Sequence, residues 1–289
     1  MDIKKLRFIE GELVFLVNFL LILLVMFFIN NNWDMSYFFY LLMGVTFIFG
    51  FVFFKTSKDI TKSLILTNLF IFFYFLYPFF SEFFSVFFNV GGFFFVLFYN
   101  IIIAFIFILF LGEQRNFIGD IKRTSFGILF LTLFSGIFFG GVFYLIDEPI
   151  PLELFGFVSD FDLLGFFVFV AFFSLMIAIG EQMIFTGFLY NVYSKLTSKW
   201  NAFIQVALLF SLFHALNLDK IIEHFGGDGV NSMIFIFLYF IFLFIFMLLA
   251  LMLYTFRWKK YNGNFLYPVL FHFVVDFILF TLILLPYVV

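Results

Sequence analysis

Long apolar stretches separated by short polar segments run along the whole chain. A helix needs roughly 20 residues to cross about 30 Å of hydrocarbon, and most of the stretches approach or exceed that length. They lie near residues 12–29, 35–54, 64–88, 91–111, 126–146, 163–190, 202–217, 231–256 and 265–285. We therefore predict nine membrane spans, with eight as the alternative count.

The predicted spans are helical. Backbone N–H and C=O groups must be satisfied within the segment in lipid, and the stretches lack the polar-apolar alternation of barrel strands. Hydrophobic residues make up 65% of the chain and charged residues 11%, which leaves too little polar surface for a water-soluble globule. The sequence thus predicts an all-α, polytopic transmembrane helix bundle.

The basic residues indicate how the bundle is oriented, because cytoplasmic loops carry an excess of Lys and Arg. All of the 15 Lys and Arg residues except Lys220 fall on one predicted side. They are Lys4, Lys5, Arg7, Lys55, Lys58, Lys62, Arg115, Lys122, Arg123, Lys195, Lys199, Arg257, Lys259 and Lys260. We predict a cytoplasmic N terminus and an external C terminus.

The first span follows a basic segment, as a secretory signal does, but no small-residue cleavage site precedes Asn30. We expect this span to be retained. No soluble domain or long linker interrupts the chain, which we treat as one domain in two parts. Residues 1–150 form N-terminal transmembrane helices without an assigned role, and residues 151–289 form the part that carries the candidate chemistry.

Ionisable side chains inside spans are costly and mark functional sites. Four lie well inside predicted spans, namely Glu181, His214, His272 and Asp276. At about 1.5 Å per residue they lie about 12 to 18 Å from the cytoplasmic ends of three different helices. His272 and Asp276 are spaced i,i+4, so their side chains can touch on one helix face.

The motifs around these residues resemble those of a known family. They read EQMIFTG over 181–187, FSLFH over 210–214 and HFVVD over 272–276, with NGNFLYP at 262–268 before the third. The ordered set is similar to the EExxxR, FxxxH and HxxxN/D motifs of the CPBP family. These are the CAAX-protease and bacteriocin-processing membrane peptidases, also called Abi proteins. The resemblance covers about residues 160–285.

Two positions depart from the family pattern. Gln182 stands where the family has its second Glu, and Thr186 stands where it has Arg. The two positions are i,i+4, so an ion pair is replaced by a neutral pair. Losing one buried charge alone costs about 3 to 5 kcal/mol, whereas replacing both is nearly neutral. The paired change favours a preserved site, although the missing Arg leaves activity open to test.

The resemblance implies a glutamate peptidase that needs no cofactor. Glu181 would be the general base that activates water, and His214 would hold that water or protonate the leaving amine. His272 would donate a hydrogen bond to the oxyanion, with Asp276 orienting its ring. Gln182, Thr186 and Phe210 would support these groups. The implied substrate is a membrane-associated protein or peptide.

A metal-dependent version of the peptidase is the first alternative. The same four residues, Glu181, His214, His272 and Asp276, could bind a divalent ion such as zinc. No HExxH pair is present in the sequence, and the resemblance favours the metal-free reaction.

Further alternatives come from other classes of protein. The polar residues could serve a proton- or ion-coupled transporter, or the chain could be a catalytically silent relative that binds a membrane partner. Ser135-Gly136 lacks the first Gly of a rhomboid GxSG motif, and Gly226-Gly227-Asp228-Gly229 lacks the GxGD order of an aspartyl protease. We interpret them as packing glycines or turns.

The expected setting is the plasma membrane of a prokaryote, with the lipid bilayer as the main surrounding. A net charge of −3 and the absence of a basic face exclude nucleic acid as a partner. The chain has no cysteine, which excludes disulfides and thiolate chemistry. The resemblance leaves the substrate open among CAAX-type processing, bacteriocin or pheromone maturation, and self-immunity.

Overall fold

The computed structural model describes residues 12, 15, 16, 19, 20 and 23, and the ranges 125–145, 158–214, 230–255 and 263–288. The isolated positions between 12 and 23 are helical. Most of the first four predicted spans, and most of the basic residues behind the predicted orientation, lie outside these described residues. The count of nine spans therefore stays a prediction.

Every regular element in the described ranges is helical, as predicted. The α-helices are α1 Phe126–Leu145, α2 Leu163–Gln182, α3 Tyr190–Leu196, α4 Lys199–His214, α5 Val230–Thr255 and α6 Leu266–Leu284. A π-helix, Met183–Leu189, continues α2, and a 3-10 turn, Leu285–Tyr287, follows α6.

Four of the described helical segments are long and apolar enough to cross a membrane. They are Phe126–Leu145, Leu163–Gly187, Ile236–Thr255 and Leu266–Tyr287, close to four of the predicted spans. Helix α4 has 16 residues, fewer than the roughly 20 that a crossing requires. The structure thus confirms four helices able to span a membrane, without confirming every predicted crossing.

The chain divides into two compact units, one comprising residues 1–76 and 189–248 and the other residues 77–188 and 249–289. We refer to them as the first and the second unit. The first contains α3 and α4, and the second contains α1, α2 and α6.

Helix α6 packs against both α1 and α2 in the second unit. Gly136 and Gly140 of α1 lie against Val274 and Ile278 of α6, so α1 and α6 run in the same direction. Phe173 of α2 instead packs on Phe280, with ring centroids 5.0 Å apart, while Glu181 lies near His272. Helix α2 is therefore antiparallel to α6, which agrees with the predicted alternation of these three spans.

Local sequence explains where the helices begin. Asp162 precedes α2, and its carboxylate accepts a hydrogen bond of 2.6 Å from the Gly165 backbone N–H. Ser198 does the same for α4, with its hydroxyl 3.1 Å from the Asn201 nitrogen. Both satisfy backbone donors that a helix N terminus leaves unpaired.

Candidate active site

The candidate acid lies at the end of α2, where the backbone changes from α-helix to π-helix. Glu181 and Gln182 are the last residues of α2, and Thr186 and Gly187 lie in the π-helix Met183–Leu189. π-Helical segments are rare and occur preferentially at functional sites. The first motif therefore sits on an unusual backbone, which the apolar periodicity did not predict.

The third motif is positioned by the turn that precedes α6. Gly263 has a φ of +62°, and an added Cβ would lie 2.6 Å from the Tyr254 carbonyl oxygen, so this position favours glycine. Asn264 donates its backbone N–H to the same carbonyl at 2.9 Å, and its side-chain oxygen accepts from the Leu266 N–H at 2.9 Å. These bonds set the start of the helix that carries His272 and Asp276.

Three predicted site residues meet in the second unit. The Nε2 atom of His272 lies 3.8 Å from Glu181 Oε2 and 3.4 Å from Asp276 Oδ2. The i,i+4 contact of His272 and Asp276 is thus present, and Glu181 shares their level, as the depth estimate predicts. The side chains of Glu181, Asp276 and His272 retain 18%, 12% and 5% exposure, so the two acids are more accessible than the ring.

Gln182 and Thr186 support this group from the other side of the imidazole. The Thr186 hydroxyl donates to Gln182 Oε1 at 2.5 Å, and Gln182 Nε2 lies 3.1 Å from His272 Nδ1. Both supporting residues are fully buried, at 0% exposure. The two positions that depart from the family pattern are therefore bonded to each other, as their joint replacement suggests.

His214 and Phe210 belong to the first unit. The His214 Nδ1 atom lies 2.9 Å from the Phe210 carbonyl oxygen. The two rings are 4.2 Å apart between centroids, and Phe210 also stacks on Phe246 at 5.6 Å. Phe210 thus fixes the ring of His214 on α4, and the predicted joint action of His214 with Glu181 stays a prediction.

No group of three or more His, Asp or Glu side chains in the described ranges is arranged to hold a metal ion. The predicted metal-free reaction and its metal-dependent alternative both stay predictions.

Several polar contacts were not predicted from the sequence, because the candidate residues were chosen mainly among ionisable side chains deep in spans. Glu12 accepts hydrogen bonds in the first unit from Asn201 at 3.2 Å and Gln205 at 3.0 Å. In the second unit, the Tyr267 hydroxyl accepts the Ser125 backbone N–H at 2.7 Å. A survey of neutral polar residues in the spans would have marked Gln205 and Tyr267 as candidates for such contacts.

Comparison with known families supports the motif resemblance. Residues 163–278 match the family model described as type II CAAX prenyl endopeptidase Rce1-like. The matched stretch begins at the first residue of α2 and contains all three motifs. No curated protein and no solved structure matches the chain. The predicted resemblance to the CAAX-protease family is confirmed over this stretch, because residues 163–278 match the Rce1-like model of CAAX prenyl endopeptidases.

Proposed function

We propose that the chain is an intramembrane endopeptidase that hydrolyses a peptide bond near the C terminus of a prenylated, membrane-associated protein. The match to the Rce1-like family supports the substrate class. The proposal rests on one observation: carboxyl oxygens of Glu181 and Asp276 both lie within 4 Å of Nε2 of His272. The acid is the type of group that activates a water molecule, and the imidazole N–H is the type that stabilises an oxyanion. Here they lie at the same level on two membrane helices.

The reaction starts at Glu181. Its carboxylate accepts a proton from a water molecule while the water oxygen bonds to the scissile carbonyl carbon. The carbonyl oxygen takes up the negative charge, and the Nε2–H group of His272 donates a hydrogen bond to it. The oxyanion then collapses, the C–N bond breaks, and the proton held by Glu181 passes to the leaving amine.

Asp276 acts through His272 in this mechanism. Its Oδ2 atom lies 3.4 Å from Nε2, so the carboxylate holds the ring in place. A carboxylate facing the oxyanion directly would repel it, and this contact assigns its charge to the imidazole instead. The role proposed for His214, to hold the water or to protonate the amine, rests on the motif resemblance.

The test uses purified protein in lipid nanodiscs and a fluorescence-quenched, farnesylated peptide that ends in a CAAX sequence. We expect cleavage by the unmodified protein and a loss of about 100- to 10,000-fold in kcat for Glu181→Gln, the range that a general base contributes. Thr132→Val is the matched control, because it removes a buried hydroxyl that donates to Ile128 on α1.

The outcome also separates substrate classes. Cleavage of the farnesylated peptide but not of the same peptide without the lipid supports the CAAX assignment. Glu181-dependent cleavage of an unprenylated bacteriocin or pheromone precursor alone would replace it with peptide maturation. Undiminished cleavage by Glu181→Gln would remove the glutamate mechanism.

A further inference from the structure

A continuous chain of buried polar groups ends at the candidate active site. It runs from the Thr186 hydroxyl to the Gln182 amide and on to the Nδ1 atom of His272. Gln182, Thr186 and His272 are all buried. Buried polar hydrogens require acceptors, so the direction of each bond in this chain can be worked out.

The orientation of the Gln182 amide follows from one distance. The Thr186 Oγ1 atom lies 2.5 Å from the facing atom of the amide. That separation falls within the range of O–H···O hydrogen bonds and is too short for a bond that involves a nitrogen. The amide oxygen therefore faces Thr186, and the amide NH₂ faces His272.

The proton on the His272 ring follows from both of its sides. An NH₂ group only donates, so Nδ1 must accept and carries no proton. On the opposite side Nε2 faces carboxyl oxygens of Asp276 and Glu181 at 3.4 and 3.8 Å, which are able to accept from an Nε2–H group. A doubly protonated ring would need an acceptor at Nδ1, but the amide oxygen already accepts from Thr186.

We propose that Gln182 and Thr186 form a positioning pair that holds His272 in its neutral Nε2–H tautomer, with the N–H aimed at the acids. A glutamate at position 182 could only accept, when ionised, and would place a proton on Nδ1 instead. The neutral residues at 182 and 186 thus favour the Nε2–H tautomer of His272. Neither residue contacts the reacting atoms, so both act through His272.

The consequence for hydrolysis rests on the proposed function. With one ring proton, and that proton on Nε2, His272 presents a donor toward the position where an oxyanion forms beside Glu181. The tautomer itself is a property of the resting protein and does not depend on any substrate.

The test is ¹⁵N NMR of the protein labelled at histidine, in lipid nanodiscs. The chain has 3 histidines, and the His272→Asn spectrum identifies the resonances of His272 by their loss. We expect Nδ1 of His272 to resonate as an unprotonated nitrogen and Nε2 to show a directly bonded proton. His214 is an internal contrast, because its Nδ1 lies 2.9 Å from a carbonyl oxygen and must carry the proton.

Substitutions then test the positioning pair. Gln182→Glu is expected to move a proton onto Nδ1 of His272, and Thr186→Val to produce a mixture of tautomers that Thr186→Ser avoids. If Gln182→Glu does not fold, Gln182→Met takes its place, because methionine is uncharged and of similar length. The Nδ1 resonance of His272 is then expected to shift, since Nδ1 loses the amide that donates to it. The control Thr132→Val should leave the His272 resonances unchanged.

Two results would overturn the inference: a protonated Nδ1 on His272 in the unmodified protein, or an unchanged His272 signal in both Gln182 variants. Where peptide cleavage is measurable, Gln182→Glu should lower kcat by about tenfold or more and leave KM nearly unchanged. This is the expected result of losing the hydrogen bond from Nε2–H of His272 to the oxyanion. A protein that shows the tautomer but cleaves no peptide would contradict the proposed function and leave the positioning pair standing.

Discussion

The imidazole of His272 is held on both sides, by carboxylates at Nε2 and by an amide at Nδ1. A buried side chain with polar neighbours on both sides is preorganised, which is the condition under which a hydrogen-bond donor contributes most to catalysis. We therefore expect different losses of activity when His272 and Asp276 are replaced.

Replacing the ring removes the proposed oxyanion donor. We expect His272→Ala to lower kcat by about 100- to 1,000-fold, the usual loss for one such donor. Asp276→Asn keeps the shape of the side chain but removes its charge beside Nε2, and should lower kcat by about 10- to 100-fold, less than loss of the ring itself. Steady-state kinetics on the farnesylated peptide measure both. Equal losses for the two variants would argue against an indirect role for Asp276.

Metal removal separates the glutamate reaction from its metal-dependent alternative. The proposed glutamate reaction uses no metal, so we expect activity to persist after dialysis against a chelator. Metal analysis of the same sample checks that the treatment worked. Activity lost with the metal and restored by zinc would favour the alternative, with Glu181, His214, His272 and Asp276 as its predicted ligands.

At the scale of the elements, the site depends on how closely α1 approaches α6. Gly136 and Gly140 are spaced i,i+4 on α1, the small-xxx-small pattern of close helix packing in membranes. A Cβ at Gly136 would lie 2.8 Å from Val274, and one at Gly140 would lie 2.9 Å from the Val275 carbonyl oxygen. The interpretation of Gly136 as a packing residue is confirmed.

Alanine at these glycines should push α1 away from the helix that carries His272 and Asp276. We expect Gly140→Ala to destabilise the protein by about 1 to 3 kcal/mol, as overpacking does, and to reduce peptidase activity with it. Thermal unfolding in detergent measures the first effect. The control is Gly141→Ala, since a Cβ there meets nothing within 4 Å. Equal melting temperatures for the two variants would contradict the packing argument.

At the scale of the whole molecule, the predicted topology places defined residues on opposite sides of the membrane. In the second unit Val158, near the start of α2, clusters with Leu284 at the end of α6, so these two helix ends lie together. The orientation predicted from the basic residues makes this end external and the start of α1 cytoplasmic.

Single-cysteine labelling tests this orientation without background, because the chain has no native cysteine. Asp160→Cys and Tyr287→Cys should react with an impermeant maleimide in right-side-out vesicles, whereas Ser125→Cys should react only in inverted ones. Asp160 and Tyr287 are exposed, so failure to label would reflect sidedness. The reverse pattern would overturn the predicted orientation.

The sequence by itself determined the helical class, the positions of four described spans and the resemblance of residues 163–278 to the Rce1-like endopeptidases. Apolar length and ordered motifs are local properties, and a bilayer leaves few alternatives to helix. The contact of His272 with Asp276 was equally predictable, because helical spacing alone produces it.

Only the tertiary structure decided which groups face the imidazole. Gln182 and His272 are separated by 90 positions, and their contact depends on the antiparallel packing of α2 on α6 and on the π-helix that follows Gln182. Neither the helix packing nor the π-helix can be predicted from hydrophobic periodicity, because these segments are apolar on every face. The close approach of α1 through Gly136 and Gly140 likewise depends on which helix lies opposite, so long-range packing determines the geometry of the site.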